Sequence, residues 1–553
     1  MRFTPINPHT CNGAFYLWQV TNWVLEMASN CTVFKLACYP TDRPVPWNAL
    51  ALALANNRNL AVLDLSRPST HPTSIGRKEI NTLATALTGH PNMHTLILSQ
   101  QSGVMGDEYS TILSGLASLL AVTPALTTLI ADGMTMGLDN IVSIAQFSMG
   151  LETLNLAMND LQNDAAPAIA ALMARSTTLR HLSLSHNSLG GHFIIVIADA
   201  LSRNTTLAEL DLGYNRLTQH CNKRWADILA ANTGLTSLQL QGNPRSNGIH
   251  HVIEALRANT TLRELGIADL PSPLHTNYHL MLRALAQCEH LKSLDWSGCK
   301  IGSRESSLVN AIICSGITTL ALRNCSLDDL AGERLAYAIQ HDCILVCIDL
   351  SGNEFPLTAG ALLNALGTNA SIRKAAFDSC AFDTHEACSA LVLLLSRNAT
   401  LTDLSVLGNS FGCLGVVEAI TDAIELNNTT LQRLSMERDL SPARVYSVLN
   451  AYLARNREVH RATPMWARCA STTSPNAFKR AVATILMAAK HFSPQLPYDL
   501  WDLGIITYLT HTDFGYAPIS QAMLDESTRC DHVGHNPTHN CVINRASCQV
   551  VPP

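Results

Sequence analysis

Three stretches of the chain superimpose residue for residue: LETLNLAMNDL (Leu151 to Leu161), LRHLSLSHNSL (Leu179 to Leu189) and LAELDLGYNRL (Leu207 to Leu217). Each fits L-x-x-L-x-L-x-x-N-x-L. Self-similarity at a fixed period commits a chain to stacked copies of one unit, none of which can bury its apolar face alone. Slid along the sequence, the template finds first anchors at Leu60, Met93, Leu126, Leu151, Leu179, Leu207, Leu235, Leu262, Leu291, Ile317, Leu345, Ile372, Leu401 and Leu431. The intervals run from 25 to 33 residues, mostly 27 to 29, and give about 14 repeats.

Each slot of the template has a physical task. The alternating Leu-x-Leu pair sends one face of a short strand into the core. The Asn in the ninth slot turns the chain, and its amide can satisfy backbone groups of a neighbouring coil. That slot holds Asn159, Asn187, Asn215, Asn243, Asn353 and Asn409, with Cys299, Cys325 and Cys380 substituting. A second polar slot, three residues before the first anchor, holds Asn204, Asn232, Asn259, Asn369, Asn398 and Asn428, with Cys288 and Cys314 in the same role. Between strands, Ala165 to Ala174, Ile194 to Leu201, Trp225 to Ala231 and Ala359 to Leu366 carry apolar residues at helical spacing.

The pattern LSRNTTLAELDLGYNRL, with this period, closely resembles the ribonuclease-inhibitor-like class of leucine-rich repeats over roughly residues 50 to 440. The resemblance implies an α/β solenoid, a horseshoe with parallel strands on the concave face and helices on the convex face. Pro68, Gln101 and Met134 depart from it at the Asn slot. The implied organisation is an N-terminal cap (1–50), a leucine-rich repeat domain (51–440), a helical C-terminal region (441–525) and a Cys/His-containing tail (526–553). In the cap, Trp18, Trp23, Leu25 and Val33 are expected to cover the edge of the first coil.

Composition agrees with stacked coils. Only 14% of residues are charged, against about 25% in an average soluble protein, and 5% are aromatic. The net charge of −6 argues against a nucleic-acid footprint. No apolar run reaches the ~18 residues of a membrane span. The 17 cysteines are spread and odd in number, as expected of reduced thiols in a cytoplasmic protein. The Asn-x-Thr sequons at Asn204, Asn259, Asn398 and Asn428 fall in the second polar slot, which gives them a structural reading in place of a glycan.

The third, fifth and seventh template residues face outward from the concave sheet. Their acidic members are Asp64, Asp132, Glu209, Asp211, Glu264, Asp295, Asp349, Asp378, Asp403 and Glu437, and their basic members Arg323, Lys374 and Arg433. A wall of one sign steers an oppositely charged partner. The expected site is a protein-binding face built from Glu209, Asp211, Tyr214, Gln239, Gln241, Glu264, Asp295, Asp349, Asp378 and Asp403, meeting a protein with a basic patch. A merely solvated surface is the alternative. Tyr214 reads as an exposed anchor, and Trp296, in a Leu slot, as core.

Beyond the repeats, Ser441-Pro442 opens a helix over Ala443 to Arg457. Further helices are expected from Asn476 to His491 and after Pro497. Leu496-Pro497-Tyr498-Asp499-Leu500, Ile505-Ile506, Tyr508-Leu509 and Asp513-Phe514 resemble an F-box opening, one residue longer than the usual pattern. That resemblance implies a Skp1-type adaptor partner and a substrate-selecting role in a ubiquitin ligase; the bland alternative is a cap on the last coil. Cys530, His532, His535, His539, Cys541 and Cys548 are zinc-competent by residue type, though not by spacing, and a loose tail is the alternative. No P-loop, G-x-S-x-G, H-E-x-x-H or kinase motif occurs, so a binding scaffold is expected, neither enzyme nor cofactor carrier. Similar repeats also serve as pathogen effectors, so delivery into a host cell is a further implication of the resemblance.

Overall fold

A computed structural model describes residues 31–35, 46–66, 77–99, 119–147 (without 124 and 135), 150–218, 221–243, 249–270, 284–301 (without 286), 315–341, 344–409, 411, 415–437 and 443–471. Two compact units emerge, Met1–Val445 and Tyr446–Pro553.

The first unit is built on one 15-stranded sheet whose strands follow chain order, every neighbouring pair parallel. Each strand is three residues long and sits on template slots three to five, as in Glu209–Asp211, where Leu210 is buried between outward neighbours. Helices such as Ala166–Arg175, Gly191–Arg203, Asn222–Ala231 and Ala359–Thr368 return the chain to the next strand, close to the expected spans. Strands stack about 4.8 Å apart while packed helices need 8–10 Å. The stack therefore bends with its strands inward.

The template's apolar slots form the core: Leu207, Leu210, Leu212 and Leu217 are all at most 1% exposed. Fully burying one leucine is worth about 1.5–3 kcal/mol, and a single coil repeats that gain four times. Trp296 is core, as expected.

Both polar ladders are present. In the ninth slot, Asn215 Oδ1 accepts the backbone N–H groups of Asn187 and Leu189 in the preceding coil. Its Nδ2 donates to Leu184 O and Leu212 O. Cysteine reproduces only the donor half. Cys325 Sγ reaches Trp296 O at 3.3 Å, and Cys380 Sγ reaches Leu350 O at 3.3 Å. Met134 occupies the slot with an apolar side chain and stays buried; its backbone N–H still makes the ladder's usual bond, to Asn159 Oδ1 of the next coil. Pro68, Gln101 and Cys314 lie outside the described residues.

The second ladder extends further than the asparagines named from the sequence. Asn204 Nδ2 donates to Met173 O, and its Oδ1 accepts from Leu207 N. The same slot is filled by Asn57, by His90, whose Nδ1 accepts from Met93 N, and by Ser176, whose Oγ accepts from Leu179 N. His90 and Ser176 were missed because side chains other than asparagine perform the acceptor role there. The sequon residues Asn204, Asn259, Asn398 and Asn428 are all buried in this ladder.

The sheet begins one strand before the first template anchor. Val33–Lys35 pairs with Val62–Asp64 inside the segment expected to be a cap. Val33 is not the covering residue: it is 44% exposed, and Phe34 beside it takes the buried slot. Trp18, Trp23 and Leu25 lie outside the described residues. The described part of the second unit, from Tyr446 onward, belongs to a helix, Ala443–Ser471, longer than the expected 443–457, with Tyr446, Leu449, Tyr452 and Leu453 buried. The segments 476–491 and 496–514 and the Cys/His tail lie outside the described residues. No described helix is long and apolar enough to cross a membrane.

Candidate protein-binding face

The eighth template slot closes each strand, and in every described coil from Gly133 to Gly408 it is left-handed. Gly133, Gly242, Gly298, Gly352 and Gly408 hold it, but so do Met158, His186, Tyr214, Asp269, Asn324 and Ser379, with φ between +52° and +58° for these non-glycines. Left-handed backbone costs an L-residue about 1–2 kcal/mol, so a side chain here is held by its surroundings. Tyr214 is the clearest case. It is 45% exposed and stacks on His186 of the preceding coil, ring centroids 4.4 Å apart and planes 8° from parallel. His186 was not singled out in the sequence because the template's eighth slot is an x.

Parallel register turns template slots into straight rows. One outward row runs His181, Glu209, Ser237, Glu264, Ser293 and Thr319; the next runs Ser183, Asp211, Gln239, Gly266, Asp295 and Ala321. Across the four coils that begin at Leu207, Leu235, Leu262 and Leu291, no Lys or Arg occupies slot three, five, seven or eight. Glu209, Asp211, Gln239, Gln241, Glu264 and Asp295 thus form one contiguous acidic and amide surface, with Tyr214 on its edge.

Local bonds hold these side chains. Glu209 Oε2 lies 2.8 Å from His181 Nδ1. Asp211 accepts from Gly213 N and from Ser183 Oγ, each at 2.9 Å. Asp295 accepts from Ser297 N and Oγ at 3.0 and 2.6 Å. Gln239 donates to Ser237 Oγ at 3.3 Å. Gln241 Oε1 is buried without a hydrogen-bond partner, beside Gly266 and close to the space Gln239 Oε1 fills. The nearby cations Arg263 and Lys292 sit in slot two and donate to backbone carbonyls, Thr260 O and Glu289 O respectively.

The other three expected site residues lie apart from this group. Asp349 accepts from Arg323 Nε at 2.6 Å, and Asp403 from Arg433 Nε. Asp378 accepts from Ser405 Oγ at 2.6 Å and Leu407 N at 2.8 Å. The face is therefore not uniformly acidic. Its anionic surplus sits on the strands from Glu209 to Asp295, and the strands from Thr319 to Ser435 are of mixed sign. A fourth basic member, Lys35, lies on the first strand, which the template did not reach. Among the described residues, no group of three or more His, Cys, Asp or Glu could hold a metal ion.

A family model described as Leucine Rich repeat matches residues 175–191. Comparison with curated protein sequences gives no match. Among solved structures, a chain in the crystal structure of the Rad7 and Elc1 complex in yeast is 16% identical, with a TM-score of 0.40, over 78% of this chain and 92% of that one. The leucine core, the two polar ladders and the one-strand, one-helix coil make the fold an α/β leucine-rich repeat solenoid.

Proposed function

We propose that this chain is a protein-interaction scaffold whose sheet face, on the strands from Glu209 to Asp295, binds a partner protein through a basic patch. One observation carries the reading: four adjacent strands present Glu209, Asp211, Glu264 and Asp295 outward, and none presents a lysine or arginine. Carboxylates a few strand spacings apart sum their fields, which raises association rate and selects partners by charge. Tyr214, rigidly stacked and exposed, adds an aromatic anchor with little side-chain entropy left to lose. The reading is of a binding surface, neither a reaction centre nor a cofactor site. Hydrogen-bonding thiols at Cys299, Cys325 and Cys380 support a reducing compartment such as the cytoplasm.

The test is binding of a fluorescent hexaarginine peptide to the full chain and to a Glu209→Lys, Asp211→Lys, Asp295→Lys variant, at low and high salt. The expected result is salt-sensitive binding that the variant loses. Equal binding by both proteins at both salt concentrations overturns the proposal.

A further inference from the structure

Charge is not spread evenly along the chain. Residues 1–439 hold 27 Lys or Arg against 36 Asp or Glu, a net charge of −9. Residues 440–498 hold eight against one, a net charge of +7, and residues 499–553 return to −4. Half of the basic segment is the helix Ala443–Ser471, which carries Arg444, Arg455, Arg457, Arg461 and Arg468 against Glu458. Lys479, Arg480 and Lys490 follow it, and residues 459–498 are the longest stretch of the chain without an Asp or Glu. The buried Tyr446, Leu449, Tyr452 and Leu453 explain why the helix packs, but not why its charge is of one sign.

The strands from Glu209 to Asp295 are the opposite case. In the coils that begin at Leu207, Leu235, Leu262 and Leu291, slots three, five, seven and eight hold Glu209, Asp211, Glu264, Asp269 and Asp295 and no Lys or Arg. The cations of these coils stand at the two margins of the strands. Arg263 and Lys292, in slot two, donate to backbone carbonyls. Arg216 and Lys300 in slot ten, and Arg245 in slot eleven, follow the left-handed turn. From the strand Glu209–Asp211 to the strand Ser293–Asp295 is three strand spacings, about 14 Å. From Arg457 to Arg468 the basic helix rises about 16 Å. The two charged stretches match in length as well as in sign.

We infer that the acidic strands receive the basic segment 440–498 of a second copy of this chain, its helix laid across the strands, and that the exchange is mutual. The inference rests on the acidic strands being the binding surface, and it names their partner. Each copy offers one acidic face and one basic segment, so a two-fold pair makes the same contact twice and closes. The second contact forms within a pair already joined by the first, which strengthens both. Two repeat regions of −9 each repel one another. A segment of +7 between them offsets that repulsion and fixes which surfaces meet.

Sedimentation velocity of the full chain at low and high salt reads the assembly. The expected result is a doubled mass at low salt and a single copy at high salt, because salt screens exposed charges. Two full-length variants each reverse one side of the contact. One carries Glu209→Lys, Asp211→Lys, Glu264→Lys and Asp295→Lys; the other carries Arg461→Glu, Arg468→Glu, Lys479→Glu, Arg480→Glu and Lys490→Glu. Each alone is expected to sediment as a single copy, with the circular dichroism spectrum of the wild type. An equimolar mixture of the two is expected to recover the doubled mass at low salt, since every face then meets a segment of opposite sign. A wild-type chain that stays single at low salt overturns the inference. So does a pair that either variant keeps by itself, or a mixture that does not associate. Hexaarginine binding reads the acidic face without a second copy. A chain that binds hexaarginine in a salt-sensitive way but never pairs keeps its binding surface and loses this partner; one that does not bind hexaarginine loses the surface itself.

Discussion

The backbone N–H of Asn187 donates to Oδ1 of Asn215, one coil later, at 2.9 Å. The same oxygen takes Leu189 N, and Nδ2 returns two bonds to carbonyls of both coils. Asn215→Ala strands two buried N–H groups at once. With about 1–3 kcal/mol for each unsatisfied group, the variant is expected to lose about 2–5 kcal/mol in urea unfolding. Asn215→Cys keeps a donor to Leu184 O and is expected to lose less.

Burial pushes the Cys299 thiol up to about 11, and those of Cys325 and Cys380 up to about 12, from 9.0. A raised folded pKa means the fold favours the protonated thiol. The stabilisation is complete below about pH 9 and is lost as pH rises through about 11 to 12. The thermal midpoint is therefore expected to hold up to about pH 9 and to fall from there towards about pH 12. Cys380→Asn, which installs the ladder's usual residue, is expected to flatten part of that fall.

A Cβ on Gly242 would overlap the Tyr214 ring, whereas one on Gly89, at nearly the same φ of +65°, meets nothing within 4 Å. Gly89→Ala therefore isolates the backbone cost of about 1–2 kcal/mol. Gly242→Ala is expected to cost more in the same unfolding assay. Adding Tyr214→Ala is expected to recover the excess.

Arg323 and Asp349 form an exposed pair, and such pairs contribute about 0–1 kcal/mol. Arg323→Ala is expected to leave the thermal midpoint nearly unchanged while releasing one carboxylate. Hexaarginine binding by the variant is expected to tighten at low salt.

Asn204, Asn259, Asn398 and Asn428 give both ends of their amides to backbone groups. Folded protein incubated with an oligosaccharyltransferase is expected to remain unglycosylated at all four sites by mass spectrometry.

The coil was legible because its pattern recurs: Leu210 and Leu212 alternate as a strand does, and the same slots return in coil after coil. The first strand was hidden because Cys31 and Phe34 stand where the template asks for leucine. The acidic face was legible as a list of slots but not as a charge distribution. Whether Asp349 is free depends on Arg323 reaching it from the neighbouring coil, which is a matter of side-chain geometry. Tyr214 was legible as an anchor but not the His186 that holds it, since nothing in the template separates a left-handed slot from any other x.

From Tyr214 onward the eighth slot alternates: Tyr214 lies over Gly242, Asp269 over Gly298, Asn324 over Gly352 and Ser379 over Gly408. The true structural unit there is two coils long. A gene that duplicates or deletes one coil brings two side chains into adjacent eighth slots, which must then stack as His186 and Tyr214 do, or leaves two glycines adjacent, whereas one that does so in pairs preserves every fit. The length of this part of the molecule is free to evolve in even steps.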